Sequence, residues 1–251
     1  MKELTLTALP GIPEVTAGAD LTALLLEALA RADKALQAGD VVVVAQKIVS
    51  KAEGRLVRLA GVVPSARARE LAQATGKDAR LVELMLRESR EVVRAKPGVL
   101  IVEHRLGLVM ANAGIDESNV PVEDAALLLP EDPDLSARRM REHLMRARRT
   151  DIGVVINDSF GRAWRNGVAG VAIGVAGIPA LVDLRGQADR GGRALRITQV
   201  AAADEIAAAA SLMMGQANEG APAVLVRGFP YERRDGAAAE LIRPRAEDFF
   251  R

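Results

Sequence analysis

The chain has no cysteine, which excludes disulfides, zinc thiolate sites, iron–sulfur clusters and a thiol nucleophile. Aromatic residues make up 2% of it, with one Trp, one Tyr and four Phe, too few for a platform on which single-stranded bases stack. Neither sign of charge dominates, for 34 Lys and Arg stand against 33 Asp and Glu. A formal net charge of +1 creates no global field to attract nucleic acid or an anionic membrane. No apolar run approaches the roughly 20 residues that span a bilayer. The opening Met1-Lys2-Glu3-Leu4-Thr5-Leu6 lacks the apolar core of a signal peptide. A soluble, cytoplasmic protein is expected, with neither nucleic acid nor membrane as partner. Walker A is also missing, as is a GxGxxG placed between strand and helix, so any nucleotide must be held by other loops. The two histidines, His104 and His143, share no ligand spacing, and neither is assigned a catalytic role.

What is present suffices for a sizeable core: 49% of 251 residues are apolar, enough for one large domain or two small ones. Residues 4–9 alternate like a first strand and end at the turn Pro10-Gly11-Ile12-Pro13. Asp20 is placed to cap a helix running to about Leu36, with Leu21, Leu24, Leu25, Ala28, Leu29 and Ala32 on one face. Gly39-Asp40 then opens an unbroken valine run, 41–44, suited to a strand buried on both faces. Helices are expected near 65–75 and 78–88, followed by strands around Val92, at 99–102 and at 106–110. Asp134 is the expected cap of a basic helix from about 136 to 148, and 153–156 reads as a strand. Residues 168–176 are rich in Gly and Ala, 195–201 read as a strand, and a helix at 204–214 ends at Gly215. A last strand covers 224–226, and the Arg-rich tail after Phe229 is expected at the surface. Long helices without a regular βαβ rhythm favour α+β over a doubly wound sheet.

Two stretches concentrate chemistry. Ala111-Asn112-Ala113-Gly114-Ile115-Asp116-Glu117-Ser118-Asn119 puts small residues, a carboxylate and polar side chains into one turn after an apolar run. The pattern recurs where the strand at 153–156 delivers Asn157-Asp158-Ser159 into a loop with Phe160-Gly161-Arg162. Mg²⁺ and Mn²⁺ prefer carboxylate oxygen, so Asp116 and Asp158 form a candidate metal–phosphate site built from two loops. Either aspartate alone is as readily a turn cap; their parallel settings favour joint ligation. Ser159 adds a hydroxyl suited to a second cation. Lys47 and Lys51 follow the valine strand, where fixed cations serve phosphate oxygens. Arg162 and Arg165 flank the only Trp and suit an oxyanion or a flat ring. The arginines 138, 139, 141, 146, 148 and 149 make a basic helix, read as a solvated face.

Together these segments resemble the coenzyme F420-0:γ-glutamyl ligase family. The resemblance runs through Gly11-Ile12-Pro13-Glu14, Gly39-Asp40 with its valine run, Lys47-Ile48-Val49-Ser50-Lys51-Ala52-Glu53-Gly54-Arg55 and Leu86-Arg87-Glu88-Ser89. It continues through residues 111–120, Leu129-Pro130-Glu131-Asp132-Pro133-Asp134, Asp158-Ser159-Phe160-Gly161-Arg162-Ala163-Trp164-Arg165, Asp204-Glu205-Ile206-Ala207 and Met214-Gly215-Gln216. It implies an α+β fold of two intertwined subregions within one domain over residues 1–251, assembled as a homodimer. The implied reaction joins L-glutamate to a carboxylate of F420-0, with GTP as co-substrate and Mn²⁺ or Mg²⁺ as cofactor, and it allows a monovalent cation. The stand-alone ligase is expected, without the reductase-like domain that some relatives carry.

Carried over position by position, Ile12, Pro13, Glu14, Val15, Gln46, Lys47, Lys51 and Asn119 line the GTP site. Met214, Gly215 and Gln216 begin a segment along the phosphates that runs to Ala221. Asp116 and Asp158 bind one metal; Ser159 and Gln216 stand at a second. Lys51 joins the two aspartates as a catalytic residue. The family usually has Thr at Ser159 and commonly at Asn157, and often Cys at Met110; the hydroxyl ligand survives. Arg162 or Arg165 is assigned to the anionic side chain of F420 from charge and nearness in sequence to Asp158. Three other readings stay open: the same ligase chemistry on another anionic carboxylate, a metal-dependent nucleotide phosphohydrolase, and an RNA-binding protein using the basic helix.

Overall fold

A computed structural model describes residues 3–117 and 122–248. The first part of the chain forms β1 (Thr5–Ala8), α1 (Leu21–Arg31), β2 (Val41–Ala45), α2 (Gln46–Ala52) and β3 (Leu56–Arg58). The middle adds α3 (Ala66–Thr75), α4 (Ala79–Arg87), β4 (Ser89–Lys96), β5 (Val99–His104), β6 (Val109–Ala111) and β7 (Ala125–Leu127). The last part supplies α5 (Pro133–Arg148), β8 (Gly153–Arg162), β9 (Arg165–Ala176), β10 (Val182–Asp183), β11 (Gln199–Val200), α6 (Ala202–Met214) and β12 (Ala223–Arg227). The class is α+β, as expected. Among the described residues no helix is long and apolar enough to cross a membrane.

Five strands make the central sheet in the order β1-β12-β2-β8-β9. Strands β2 and β8 run parallel, and the other neighbours run antiparallel. The valine run explains why β2 is central. Val42 and Val44 join Leu25, Leu29, Leu144 and Ile156 on one face. Val41 and Val43 join Val155, Ala203, Ala207 and Ala210 on the other. All four valines are fully buried, and full burial of such a side chain is worth roughly 1.5–3 kcal/mol. Helix α6 approaches β9 closely because residue 170 is Gly: a Cβ there would lie 2.4 Å from Ala207 O.

A second body forms around α3, α4 and the sheet β4-β5-β6, with Leu71, Leu81, Met85, Leu100 and Val102 at its centre. Its seam with the first body is polar. Glu88 Oε2 accepts from Arg55 Nη2 at 2.9 Å and from Arg105 Nε at 3.0 Å. The same arginines donate across the seam, Arg55 Nε to Leu129 O at 2.8 Å and Arg105 Nη2 to Pro130 O at 3.3 Å. His104 Nδ1 accepts from Leu106 N at 3.1 Å, which assigns the ring proton to Nε2, 3.5 Å from Glu88 Oε2. Burial alone would push the Glu88 carboxyl up; His104, Arg55 and Arg105 outweigh it and hold it at about 2. His104 is thus a structural residue, buried in the seam.

Several boundaries differ from expectation. Helix α1 stops at Arg31 rather than near Leu36, because Asp33 takes a positive φ of 51°. Its cap is Asp20, which accepts from Ala23 N. Helix α5 is capped by Asp132, not Asp134, and starts with Pro133 in the first turn. The Asp134 carboxylate instead accepts from Val175 N and Ala238 N, each at 2.8 Å. Of 195–201 only Gln199–Val200 pairs, against Val182–Asp183. The tail is not all surface: Ala238 is buried and Leu241 packs against the core.

Candidate active site

Lys47 and Lys51 sit on a helix, α2, that follows β2 without a break. Gln46 and Ser50 are buried, with Ser50 Oγ donating to Gln46 Oε1 at 2.9 Å. One turn apart, Lys47 and Lys51 stand together on a neighbouring face. Lys47 Nζ is ion-paired with Asp116 Oδ2. Lys51 Nζ lies 2.6 Å from Glu14 Oε1. Asp116 is fixed by a backbone bridge to β7, with Asp116 N to Leu127 O at 3.0 Å and Leu127 N to Asp116 O at 2.8 Å.

Asp158 is in a strand, not in the expected loop. Strand β8 continues past Ile156 to Arg162 and forms a hairpin with β9, pairing Asp158 with Val171 and Ser159 with Gly170. Polar and small residues that favour turns on propensity are held here by the ladder. Burial pushes the Asp158 carboxyl up to about 6; the Asp116 charge adds to that, while the Ser159 amide and Lys47 oppose it. Two carboxylates that repel one another across a shared lysine are a donor set that a divalent cation relieves. Among the described residues no group of three or more His, Cys, Asp and Glu gathers as a ready metal cage. Mg²⁺ is commonly held by one or two carboxylates plus substrate phosphates and water.

Adjacent side chains alternate across the strand, so Ser159 faces the opposite side, toward α6. Its Oγ donates to Gln216 Oε1 at 2.9 Å, and Gln216 Nε2 donates to Ser211 Oγ at 3.0 Å. Asn157 is buried beside them; its Nδ2 lies 3.4 Å from Met214 Sδ, and Oδ1 has no hydrogen-bond partner among the described residues. Gly215 takes a φ of 72°, and a Cβ there would lie 2.1 Å from Glu219 Cδ. That space lets Glu219 Oε2 accept from Ala217 N at 2.8 Å. Backbone amides of Ala217, Glu219 and Gln216 hold this carboxyl below its ordinary range.

These segments line one cleft of about 360 Å³. Ile12, Pro13, Glu14, Val15, Gln46, Lys47, Lys51, Asp158, Ser159, Met214, Gly215 and Gln216 all contribute to it. Asp116 reaches this group through Lys47. Asn119 lies outside the described residues. Arg162 and Arg165 pair with one another at the hairpin tip, both exposed, and line neither this cleft nor the second cavity described below. Asn157 and Ser211 line the cleft outside the residues assigned from the sequence, while Glu219 falls inside the segment to Ala221 assigned to the phosphates; an Asn within a strand, next to the candidate Asp158, is the available signal for the first.

A family model for F420-0:Gamma-glutamyl ligase matches residues 11–228. The chain is 47% identical to coenzyme F420:L-glutamate ligase of Methanothermobacter thermautotrophicus over 99% of both chains. It is 48% identical to the protein of the same name from Methanopyrus kandleri, over 95% of this chain and 94% of that one. The Halobacterium salinarum protein, also so named, is 44% identical over 97% and 94%. The chain belongs to the F420-0:γ-glutamyl ligase family. It is an enzyme of the ligase class. The family match spans both bodies of the fold, and with them every element that contributes to the cleft.

Proposed function

We propose that this ligase adds L-glutamate to coenzyme F420-0 in a GTP- and divalent-metal-dependent reaction, through an acyl phosphate, and that it works as a homodimer. The observation that carries this reading is the gathering of three distant segments, 12–15, 46–51 and 214–222, around Asp158 in one cleft. Relatives named for the same amide-forming reaction support the choice of substrates.

A carboxylate does not react with an amine at neutral pH, because oxide is a very poor leaving group. Transfer of the γ-phosphoryl group to a carboxylate oxygen breaks the bond to the β-phosphate and releases GDP. The glutamate nitrogen then attacks the acyl carbon, a C–N bond forms, phosphate leaves, and the amine proton passes to solvent. Asp116 and Asp158 would hold a divalent cation from two elements, and it would supply positive charge to the phosphates. Lys51 exchanges its partner Glu14 for phosphate oxygen, and Lys47 orients Asp116. The amides at 216–219 exchange the Glu219 carboxylate for a phosphate oxygen as acceptor. No covalent protein nucleophile is needed.

The test follows GTP consumption with F420-0, glutamate and Mn²⁺ each omitted in turn. The ligase reading expects turnover only in the complete mixture or in one lacking glutamate alone, with ¹⁸O from a labelled F420-0 carboxylate appearing in phosphate upon amide formation. GTP hydrolysis that proceeds equally without F420-0 would replace the ligase by a phosphohydrolase.

A further inference from the structure

A second cavity, of about 590 Å³, is larger than the nucleotide cleft and has no role in the reaction as set out above. It lies along β9, the edge strand of the central sheet. Leu106, Phe160, Val171, Ile173, Leu241 and Ile242 supply its apolar walls. Its polar lining is acidic, with Glu131, Asp132, Asp134 and Asp204 against the single Arg138. Asp134 and Asp204 are held in place by edge amides of β9, from Val175 N at 2.8 Å and Ala172 N at 2.9 Å.

The two cavities are separated by one strand pair. Asp158 lines the nucleotide cleft, Val171 lines the second cavity, and the two are directly opposite in the β8–β9 ladder. Phe160 stands two residues beyond Asp158 on the same face of β8. A ligand in the second cavity is therefore about one strand spacing, roughly 5 Å, from the metal aspartate. Carboxylates repel an anion and accept from hydroxyl and N–H donors, so a phosphate-bearing tail is disfavoured among them. Lys47 and Lys51 provide for it on the other side of the strand pair.

We propose that the second cavity binds the uncharged ring end of the carboxylate acceptor, a flat, largely apolar heteroaromatic carrying hydroxyl donors, while its anionic tail crosses to Asp158 and Lys47. This assignment rests on the ligase reading, under which the ring end is the deazaflavin of F420-0. It fits the different linings of the two cavities: the cleft carries Lys47 and Lys51 beside Glu14, Asp158 and Glu219, whereas the second is largely apolar, with Arg138 as its one cation among four carboxylates.

The test uses Val171→Phe and Ala239→Phe, which both fill the cavity; Ala239 is exposed on the tail, and circular dichroism checks that each variant is folded. Each is compared with wild type for the KM of F420-0 and of GTP in the ligation assay. Binding of the free deazaflavin nucleoside, which lacks the phosphate tail, is measured in parallel by equilibrium dialysis. Both variants are expected to raise the KM for F420-0 by about tenfold or more while the KM for GTP stays within about twofold. Nucleoside affinity is expected to fall with them. Unchanged KM for F420-0 and unchanged nucleoside binding in the folded variants would overturn the assignment. So would conversion of a wild-type dimer to monomer by these substitutions, which would make a second copy of the chain the occupant. If wild type fails to ligate F420-0, the ligase reading falls, while nucleoside dialysis still decides the cavity.

Discussion

Replacing Glu88 with Gln removes the charge on which the seam between the two bodies converges. The carboxyl is held at about 2 against an ordinary 4.5, and its side chain is only 12% exposed. That difference corresponds to about 3 kcal/mol of folding stability at neutral pH, taken as an upper bound. For a protein of this size each kcal/mol moves Tm by roughly 2–4 °C, so Glu88→Gln is expected to lower Tm by about 6–12 °C at pH 7. The sign follows from linkage: a depressed carboxyl stabilises fully above its unfolded value of 4.5, and the contribution is lost as pH falls through about 2. At pH 3 roughly half of it remains. Thermal unfolding of both proteins from pH 7 to pH 3, followed by circular dichroism, should show the gap between them closing on the acid side. A loss of less than about 1 kcal/mol at pH 7, or a gap that does not narrow with acid, would show that the Glu88 charge does not hold the seam. Because Arg55 and Arg105 hold the 129–131 segment across the seam, the variant should also loosen the placement of Asp116 and weaken Mn²⁺ activation.

Asp116→Ala and Asp158→Ala are each expected to lower ligation by roughly a hundredfold or more with the fold intact, measured as kcat at saturating Mn²⁺; near-normal turnover in either would remove the metal role. Lys51→Ala should raise the KM for GTP by about tenfold through loss of a fixed charge and its hydrogen bonds, and should leave circular dichroism unchanged. Gly170→Ala puts a methyl group 2.4 Å from Ala207 O, and overpacking of this kind costs about 1–3 kcal/mol, read as a lower urea midpoint with the same m-value.

The parts of the fold legible in the sequence are those where side-chain pattern and burial coincide. Four consecutive valines announce a strand covered on both faces, and 41–44 lie at the centre of the sheet. Asp20 announced a helix start through the local bond it makes to Ala23 N. The hairpin at 157–167 was illegible because Asn, Asp, Ser and Gly prefer turns in isolation, while here a partner strand supplies every ladder bond. Helix α2 is illegible for the opposite reason: it follows β2 with no side-chain cap to mark its start. Asp132 and Asp134 compete for one capping role, and the choice depends on Val175 and Ala238, far away in sequence. For the cleft, the residues drawn from the family resemblance line it except Asp116, which reaches it through Lys47, and Asn119, which lies outside the described residues. The second cavity depends on the tail folding back over Leu106 and Phe160, which no local signal encodes.

The most direct measurement is mass spectrometry of F420-0 incubated with the purified protein, L-glutamate, GTP and Mn²⁺, with each component omitted in parallel. Stepwise glutamyl mass additions that require all of them are expected. GTP consumed while F420-0 keeps its mass would contradict the ligase reading.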